Sequence, residues 1–282
     1  MPKNLPIPPA CDSRDGIEVT LFVPCLNEEE RILGTLETIR AALSEIGAPY
    51  EVLVVDDGCT DGTIRVVTTF AREHPTMNIR IHRNSRNFGL ARSFVDAAFL
   101  ARGRYYRLVC GDNVEPCETM SNILRERGTA DMILPYYPSL PGKSYFRRLI
   151  SKLWTLLVDK IGGYKIRYYN GCGLYLRYHV MRWAPYNYGF GFQADLITTL
   201  LEEGASVKEV PVQGLHFDRP GRKSPLHFRN FLSTGHTLFR IGTKRLRRIL
   251  YSAAVHPREN VSRCSNLKMN TEYSERCNES VY

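Results

Sequence analysis

No apolar run in this sequence approaches the roughly 20 residues that span a bilayer as a helix. Stretches such as Val19–Pro24 and Val52–Val55 are the size of β-strands. Met1 to Ala10 carries Pro and Lys where a secretory signal has an apolar core, so export is not expected and a cytoplasmic location is. The eight cysteines include no Cys-x-x-Cys pair and no Cys/His cluster at zinc spacing, and read as reduced thiols. No Gly-x-Gly-x-x-Gly follows the first strand-like run, which argues against a dinucleotide-dependent dehydrogenase. Nucleic-acid recognition motifs are missing too, so the net charge of +9 does not by itself imply a nucleic-acid partner. No internal repeat is present.

What is present is a chain of 282 residues, 43% hydrophobic and 24% charged, enough to bury a large core. From Glu18 to Pro135, short β-branched runs alternate with longer helical patterns, the signature of βαβ units around a mainly parallel sheet. Strands are predicted at Val19–Val23, Glu51–Val55, Asn78–His82 and Tyr105–Cys110, with helices over Glu28–Ile46, Asp61–Glu73 and Phe88–Arg102. The pattern loosens after Pro135, with helices predicted over Tyr145–Lys160 and Gly191–Glu203 and a strand over Val207–Val212. Apolar residues from Leu226 to Leu250 recur at helical spacing among cations, which predicts a basic amphipathic helix. The chain thus divides into an N-terminal extension (1–17), a regular α/β half (18–135), a less regular half that includes the basic helix (136–250), and a flexible polar tail (251–282).

Ligands of open α/β sheets bind beyond the carboxyl ends of the strands. Three polar motifs fall there: Asn27-Glu28, Asp56-Asp57-Gly58 and Asp112-Asn113. Helix capping alone accounts for Asp61. The adjacent carboxylates of Asp56 and Asp57 repel unless a cation or hydrogen-bond donor meets them, and a ribose or base can supply such donors. Arg219 to Leu250 holds nine cations and no acid, which points to an anionic partner such as a phospholipid headgroup or a phosphorylated substrate.

Pro24-Cys-Leu-Asn-Glu-Glu-Glu, Val54-Val-Asp-Asp-Gly-Cys-Thr-Asp-Gly-Thr and Asn87-Phe-Gly-Leu-Ala-Arg, in this order and spacing, resemble the family 2 inverting glycosyltransferases of GT-A fold. The subgroup most resembled is that of the dolichol- and polyprenyl-phosphate hexose synthases. The resemblance implies an α/β GT-A fold and a UDP- or GDP-sugar donor, with 18–135 as the nucleotide-sugar-binding half and 136–250 as the acceptor-binding half. It implies a base and ribose pocket lined by Pro24, Leu26 and Glu28, with Asp57 also touching the nucleoside. Asp112 stands at the second position of the family's Asp-x-Asp motif, a metal ligand and catalytic residue that implies Mg2+ or Mn2+. Cys110 stands where the first Asp is usual, and magnesium prefers oxygen to thiol, so half of the usual metal motif is missing.

Relatives carry an acid near the position of Asn170, and Asp195 is the expected base or acceptor-positioning residue. Arg219, Arg222 and Lys223 resemble the subgroup's basic loop, which neutralises the donor diphosphate or a lipid phosphate. The expected acceptor is a polyprenyl phosphate or another membrane-associated molecule. The protein is expected to meet it peripherally, on the anionic cytoplasmic face of a membrane, through the basic helix or a membrane partner subunit. The alternative is a degenerate transferase that keeps the nucleotide pocket as a non-catalytic subunit, which Cys110 and Asn170 favour.

Overall fold

The computed structural model describes residues 14–138, 145–184, 189, 191–213 and 228–252. Seven strands form one sheet in the order β3-β2-β1-β4-β6-β5-β7. They are β1 (Val19–Cys25), β2 (Tyr50–Asp56), β3 (Ile79–Arg83), β4 (Tyr105–Leu108), β5 (Met132–Tyr136), β6 (Leu174–Leu176) and β7 (Val207–Pro211). Only β6 runs antiparallel to its neighbours. The carboxyl ends of β1, β2, β3, β4, β5 and β7 therefore share one edge.

The sheet is buried on both faces, as crossover helices require of parallel strands. In β1, Val19, Leu21 and Val23 face α1 (Ile32–Ile46), α2 (Thr63–Glu73) and α4 (Cys117–Arg125), packing with Leu36, Ile39, Phe70 and Ile123. Phe22 points to the opposite layer, where α3 (Leu90–Leu100), α5 (Tyr145–Gly162), α6 (Arg177–Arg182) and α7 (Phe192–Glu202) contribute Phe94, Trp154, Val180 and Leu196. Phe94 anchors this second layer, with ring contacts to Phe22, Tyr106, Tyr175 and Phe192. The basic amphipathic pattern forms α8 (Phe228–Ser252). Contacts group residues 1–242 into one compact unit and 243–282 into a second, of which the end of α8 is described.

Two differences from the sequence expectations bear on the site. Helix α1 begins at Ile32, four residues after the predicted start, because Asn27 adopts φ 56° and the amides of Glu28 and Glu29 donate to Thr63 and Asp61. Hydrogen bonds to a neighbouring loop thus replace the first helical turn. The short β6 and α6 have no periodic signal, since three residues are too few to show alternation. Together with β7, β6 places two strands from the second half of the chain in the same sheet as the first half.

At the opposite edge, Glu51 is fully buried and accepts from Thr20 Oγ1 (2.7 Å), the Arg102 amide (2.6 Å) and Arg80 Nη1 (2.8 Å). Gly103 lies against this cluster, where a Cβ would come within 2.5 Å of the Thr20 backbone nitrogen. A side chain there has to push β1 itself. Gly103→Ala is expected to lower stability by roughly 2–3 kcal/mol in a urea titration; a change below about 0.5 kcal/mol would mean the two backbones separate easily.

Candidate active site

The loops leaving β1 and β2 are tied together by side-chain to backbone hydrogen bonds. Asn27 Oδ1 accepts from the Thr60 amide (2.8 Å), and Glu29 Oε2 accepts from the Gly62 amide (2.8 Å). Asp61 accepts from the Glu29 and Thr63 amides and from the Thr63 hydroxyl. Burial opposes ionisation of Asp61, but these donors outweigh it and hold its pKa below the usual carboxylate range. Leu26, 45% exposed, projects from the top of this rigid pair of loops, while Pro24 and Glu28 are half-buried beside it.

The two adjacent carboxylates at the end of β2 have separate partners. Asp56 Oδ1 accepts from the Gly58 and Cys59 amides, closing its own turn. Asp57 is buried and turns toward the loop before α3. Its Oδ1 accepts from Asn84 Nδ2 (2.7 Å), the Phe88 amide (2.9 Å) and Ser93 Oγ (3.1 Å), and its Oδ2 accepts from the Gly89 amide (2.9 Å). Backbone amides and neighbouring side chains supply the hydrogen-bond donors that two adjacent carboxylates require. Gly58, at φ +92°, lets the two loops meet, with its missing Cβ position 3.1 Å from the Asn87 nitrogen.

The loop after β4 carries Asp112, which is 8% exposed. Asn113, at φ 52°, donates its amide to Thr35 Oγ1 (2.9 Å) and so fixes the loop to α1. From below, Arg107 on β4 ion-pairs with Glu115 and has no other hydrogen-bonding partner among the described residues. Burial alone would lower the Arg107 pKa, but the charge of Glu115 and its hydrogen bond raise it, so this fully buried guanidinium stays charged. The Cys110 thiol is held well above its ordinary pKa by a hydrogen bond with Cys172 and by burial. A protonated thiol is a poor ligand for a hard cation. Among the described residues, no group of three or more His, Cys, Asp or Glu side chains is gathered to hold a metal. Asp112 offers one carboxylate, which suits a magnesium-like ion that takes its other ligands from a diphosphate and water.

Beyond β5, on the same sheet edge, lies a pocket of about 680 Å³. Tyr136, Tyr137 and Tyr168 line it, with Arg148 and Lys152 from α5 and Arg167 at its rim. Tyr137 and Tyr168 pack edge-on at 5.3 Å, and the Arg167 guanidinium lies 4.3 Å from the Tyr136 ring centroid. Glu209 approaches Arg167 at 3.9 Å, but no acid lines the pocket itself. Tyr137 also interacts electrostatically with Glu115 and Arg107, which connects the pocket to the Asp112 loop.

A model described as Glycosyl transferase family 2 matches residues 20–180, more than half of the chain. The chain belongs to glycosyl transferase family 2. A dodecaprenyl-phosphate galacturonate synthase of Rhizobium johnstonii is 28% identical over 171 residues, which cover 60% of this chain and 50% of that enzyme. A dolichyl-phosphate beta-glucosyltransferase of Trichomonas vaginalis is 23% identical over 232 residues, or 73% of this chain and 66% of that one. Among solved structures, a mannosyltransferase from Pyrobaculum calidifontis in complex with GDP-Man and Mn2+ matches with a TM-score of 0.59 at 19% identity, over 82% of this chain and 64% of that one. Glucosyl-3-phosphoglycerate synthase from Mycobacterium tuberculosis in complex with UDP also gives 0.59, at 17% identity over 81% of each chain. Likeness at these identities is likeness of fold, and the fold is GT-A. The chain spans half the length of the Rhizobium relative and 32% of a dolichyl-phosphate beta-glucosyltransferase of Dictyostelium discoideum.

In this family 2 chain, Asp195 is engaged by two side chains. It lies in the first turn of α7, 3% exposed, where Oδ2 accepts from Trp183 Nε1 (3.2 Å) and pairs with Arg240 Nη1 (3.0 Å). Arg219, Arg222 and Lys223 lie outside the described residues. Sequence reasoning missed Arg107, Glu115, Asn84 and Ser93. Of these, Arg107 has a signal: it is a lone cation inside the run Tyr105-Tyr-Arg-Leu-Val, which reads as a buried strand.

Arg107→Met removes the cation and leaves Glu115 mostly buried without its partner. Stability is expected to fall by about 2–4 kcal/mol in chemical denaturation, and nucleoside diphosphate binding should weaken in the variant that still folds. A variant as stable as the parent would show that the pair contributes nothing to holding the Asp112 loop.

Proposed function

We propose that this chain transfers a hexose from a UDP- or GDP-sugar to a polyprenyl phosphate, with inversion at the anomeric carbon. The observation that carries the reading is the juxtaposition of the Asp112 loop with a tyrosine-lined pocket whose rim bears three cations and no acid, both on one sheet edge. A phosphate-headed acceptor matches that chemistry. The polyprenyl-phosphate and dolichyl-phosphate relatives support the acceptor class, and the GDP-Man and UDP complexes support the donor class.

In this reading the nucleoside rests on Pro24, Leu26 and Glu28. Asp57, which clasps the 84–89 loop, would also contact the nucleoside beside them. Asp112 and the donor's diphosphate would together hold a Mg2+ or Mn2+ ion, whose charge offsets that of the departing nucleotide. Arg219, Arg222 and Lys223 add positive charge toward the same phosphates. Arg148 and Lys152 orient the acceptor phosphate so that one of its oxygens attacks the anomeric carbon as the bond to the diphosphate breaks. That oxygen is already anionic, so no general base has to take a proton. This suits a chain with Asn170 in place of the family's acid and with Asp195 engaged by Arg240 and Trp183. We assign Asp195 a positioning role through α7 and α8. The protein would work peripherally, on the cytoplasmic face of a membrane. The second reading, a degenerate nucleotide-binding subunit, is favoured by Cys110 alone, because its protonated thiol replaces a metal ligand.

Calorimetric titration with UDP- and GDP-sugars, each with and without Mn2+, separates the two readings. Metal-enhanced binding of one donor is expected, followed by turnover when a prenyl phosphate is added; binding without turnover would favour the degenerate subunit. Asp112→Ala should fold normally and lose transfer by about a hundredfold or more. Unchanged activity would remove Asp112 from the mechanism. Arg148→Ala combined with Lys152→Ala should raise KM for the prenyl phosphate about tenfold or more while leaving donor affinity unchanged. An equal loss of donor affinity would count against an acceptor role for the pocket.

A further inference from the structure

Helix α5 presents three different surfaces. Trp154 and Val158 are buried in the core. Arg148, Ser151, Lys152 and Thr155 line the pocket described above. The third surface is apolar and faces outward: Tyr145, Phe146, Leu149, Ile150, Leu153 and Leu157 are 37–75% exposed. At 100° per residue these six side chains cover an arc of roughly 140°, and Leu156 also falls within it. Single exposed apolar residues are ordinary, but a continuous aliphatic and aromatic stripe along the helix is not.

We propose that this face of α5 lies in the interfacial plane of an anionic bilayer and docks the protein there, with the pocket opening beside it. The inference builds on the lipid-acceptor reading, since it names the surface through which such an acceptor would be met. Charge supports a bilayer as the occupant. Exposed Arg148, Lys152 and Lys160 accompany the stripe, while the one acid of the helix, Asp159, is turned inward and accepts from Tyr169 Oη (2.7 Å) and the Ile166 amide (3.1 Å). Apolar residues flanked by cations are the composition of a helix lying on anionic lipid. No described helix is long and apolar enough to cross a membrane, which fits an orientation in the plane. The sequence suggests such a role for α8 instead. In α8, Leu232, Phe239, Leu246 and Leu250 are exposed as well, beside a dense cationic run, whereas the α5 stripe lies on the helix that also lines the pocket.

The test is co-sedimentation of the full chain with vesicles of phosphatidylcholine alone and of phosphatidylcholine with phosphatidylglycerol. The parent protein should bind the phosphatidylglycerol vesicles, less so as salt rises. Leu149→Glu with Leu153→Glu should weaken that binding about tenfold or more, with an unchanged circular dichroism spectrum and unchanged transfer to geranyl phosphate free in solution. A Leu153→Trp variant carries the test independently, because brominated lipid should quench the new indole only if this face enters the bilayer. The proposal is overturned if the double variant binds vesicles as the parent does, if the indole introduced in place of Leu153 is not quenched, or if the stripe instead holds two copies of the chain together, seen as a dimer that the glutamates dissociate. Vesicle binding without transfer in solution would defeat the proposed activity and leave the docking face standing.

Discussion

Three loops must be held in place at the carboxyl edge of the sheet before anything can bind there, and carboxylates receiving backbone N–H groups do most of that holding. Asp57 gathers four donors from the segment between Asn84 and Ser93, Asp56 closes the turn beside it, and Asp61 and Glu29 lace the first loop to the second. The buried carboxylates of Asp56 and Asp57 are expensive to desolvate and are stable only when their lone pairs are met, so they fix the positions of the amides around them. Loops carry no ladder of their own. Anchored in this way, they hold Leu26 and Glu28 at the exposed rim with little freedom to relax.

The alternation of strands and helices up to Pro135 is legible because parallel strands buried on both faces give short apolar runs, and helices between them give a 3.6 period. The motifs are legible as well, but their roles are not all so. Asp57 looks the same in a sequence whether its acceptors face a ribose or the amides of Phe88 and Gly89. That choice depends on how the 84–89 loop folds back, which no local pattern records. Asp195 presents the same difficulty, since Trp183 is 12 residues away and Arg240 lies 45 further on. The α5 stripe is visible as a helical period, yet periodicity cannot tell which apolar arc faces the core and which faces outward. Only the placement of Trp154 and Val158 decides that.

Electrostatics divides the carboxyl edge in two. Toward β1 and β2 the acids are met by backbone amides, with Arg65 and Arg83 beside Glu29 and Asp56, so few charges are left unmatched, which suits a neutral sugar and base. Toward β5 and α5 they are cations next to tyrosine rings, which suits a phosphate. The Asp112 loop stands at the boundary, tied to the first side through Asn113 and Thr35 and to the second through Glu115 and Arg107. A reaction that brings a diphosphate and a second phosphate together requires such a gradient, because two anions have to approach within bonding distance of one carbon.

The position of β6 has a consequence for how the chain can assemble. Strands β1 to β4 pair only with one another until residue 174, so that four-stranded portion, with α1 to α4 alongside, can form as the chain emerges. Strand β5 has no such opportunity. Both of its neighbours, Leu174–Leu176 and Val207–Pro211, lie later in the chain, and its backbone N–H and C=O groups wait for about forty residues of synthesis on one side and about seventy on the other. The half of the edge that carries the tyrosine pocket is therefore the last to acquire a fixed geometry, and it closes only when the chain has returned twice to the sheet.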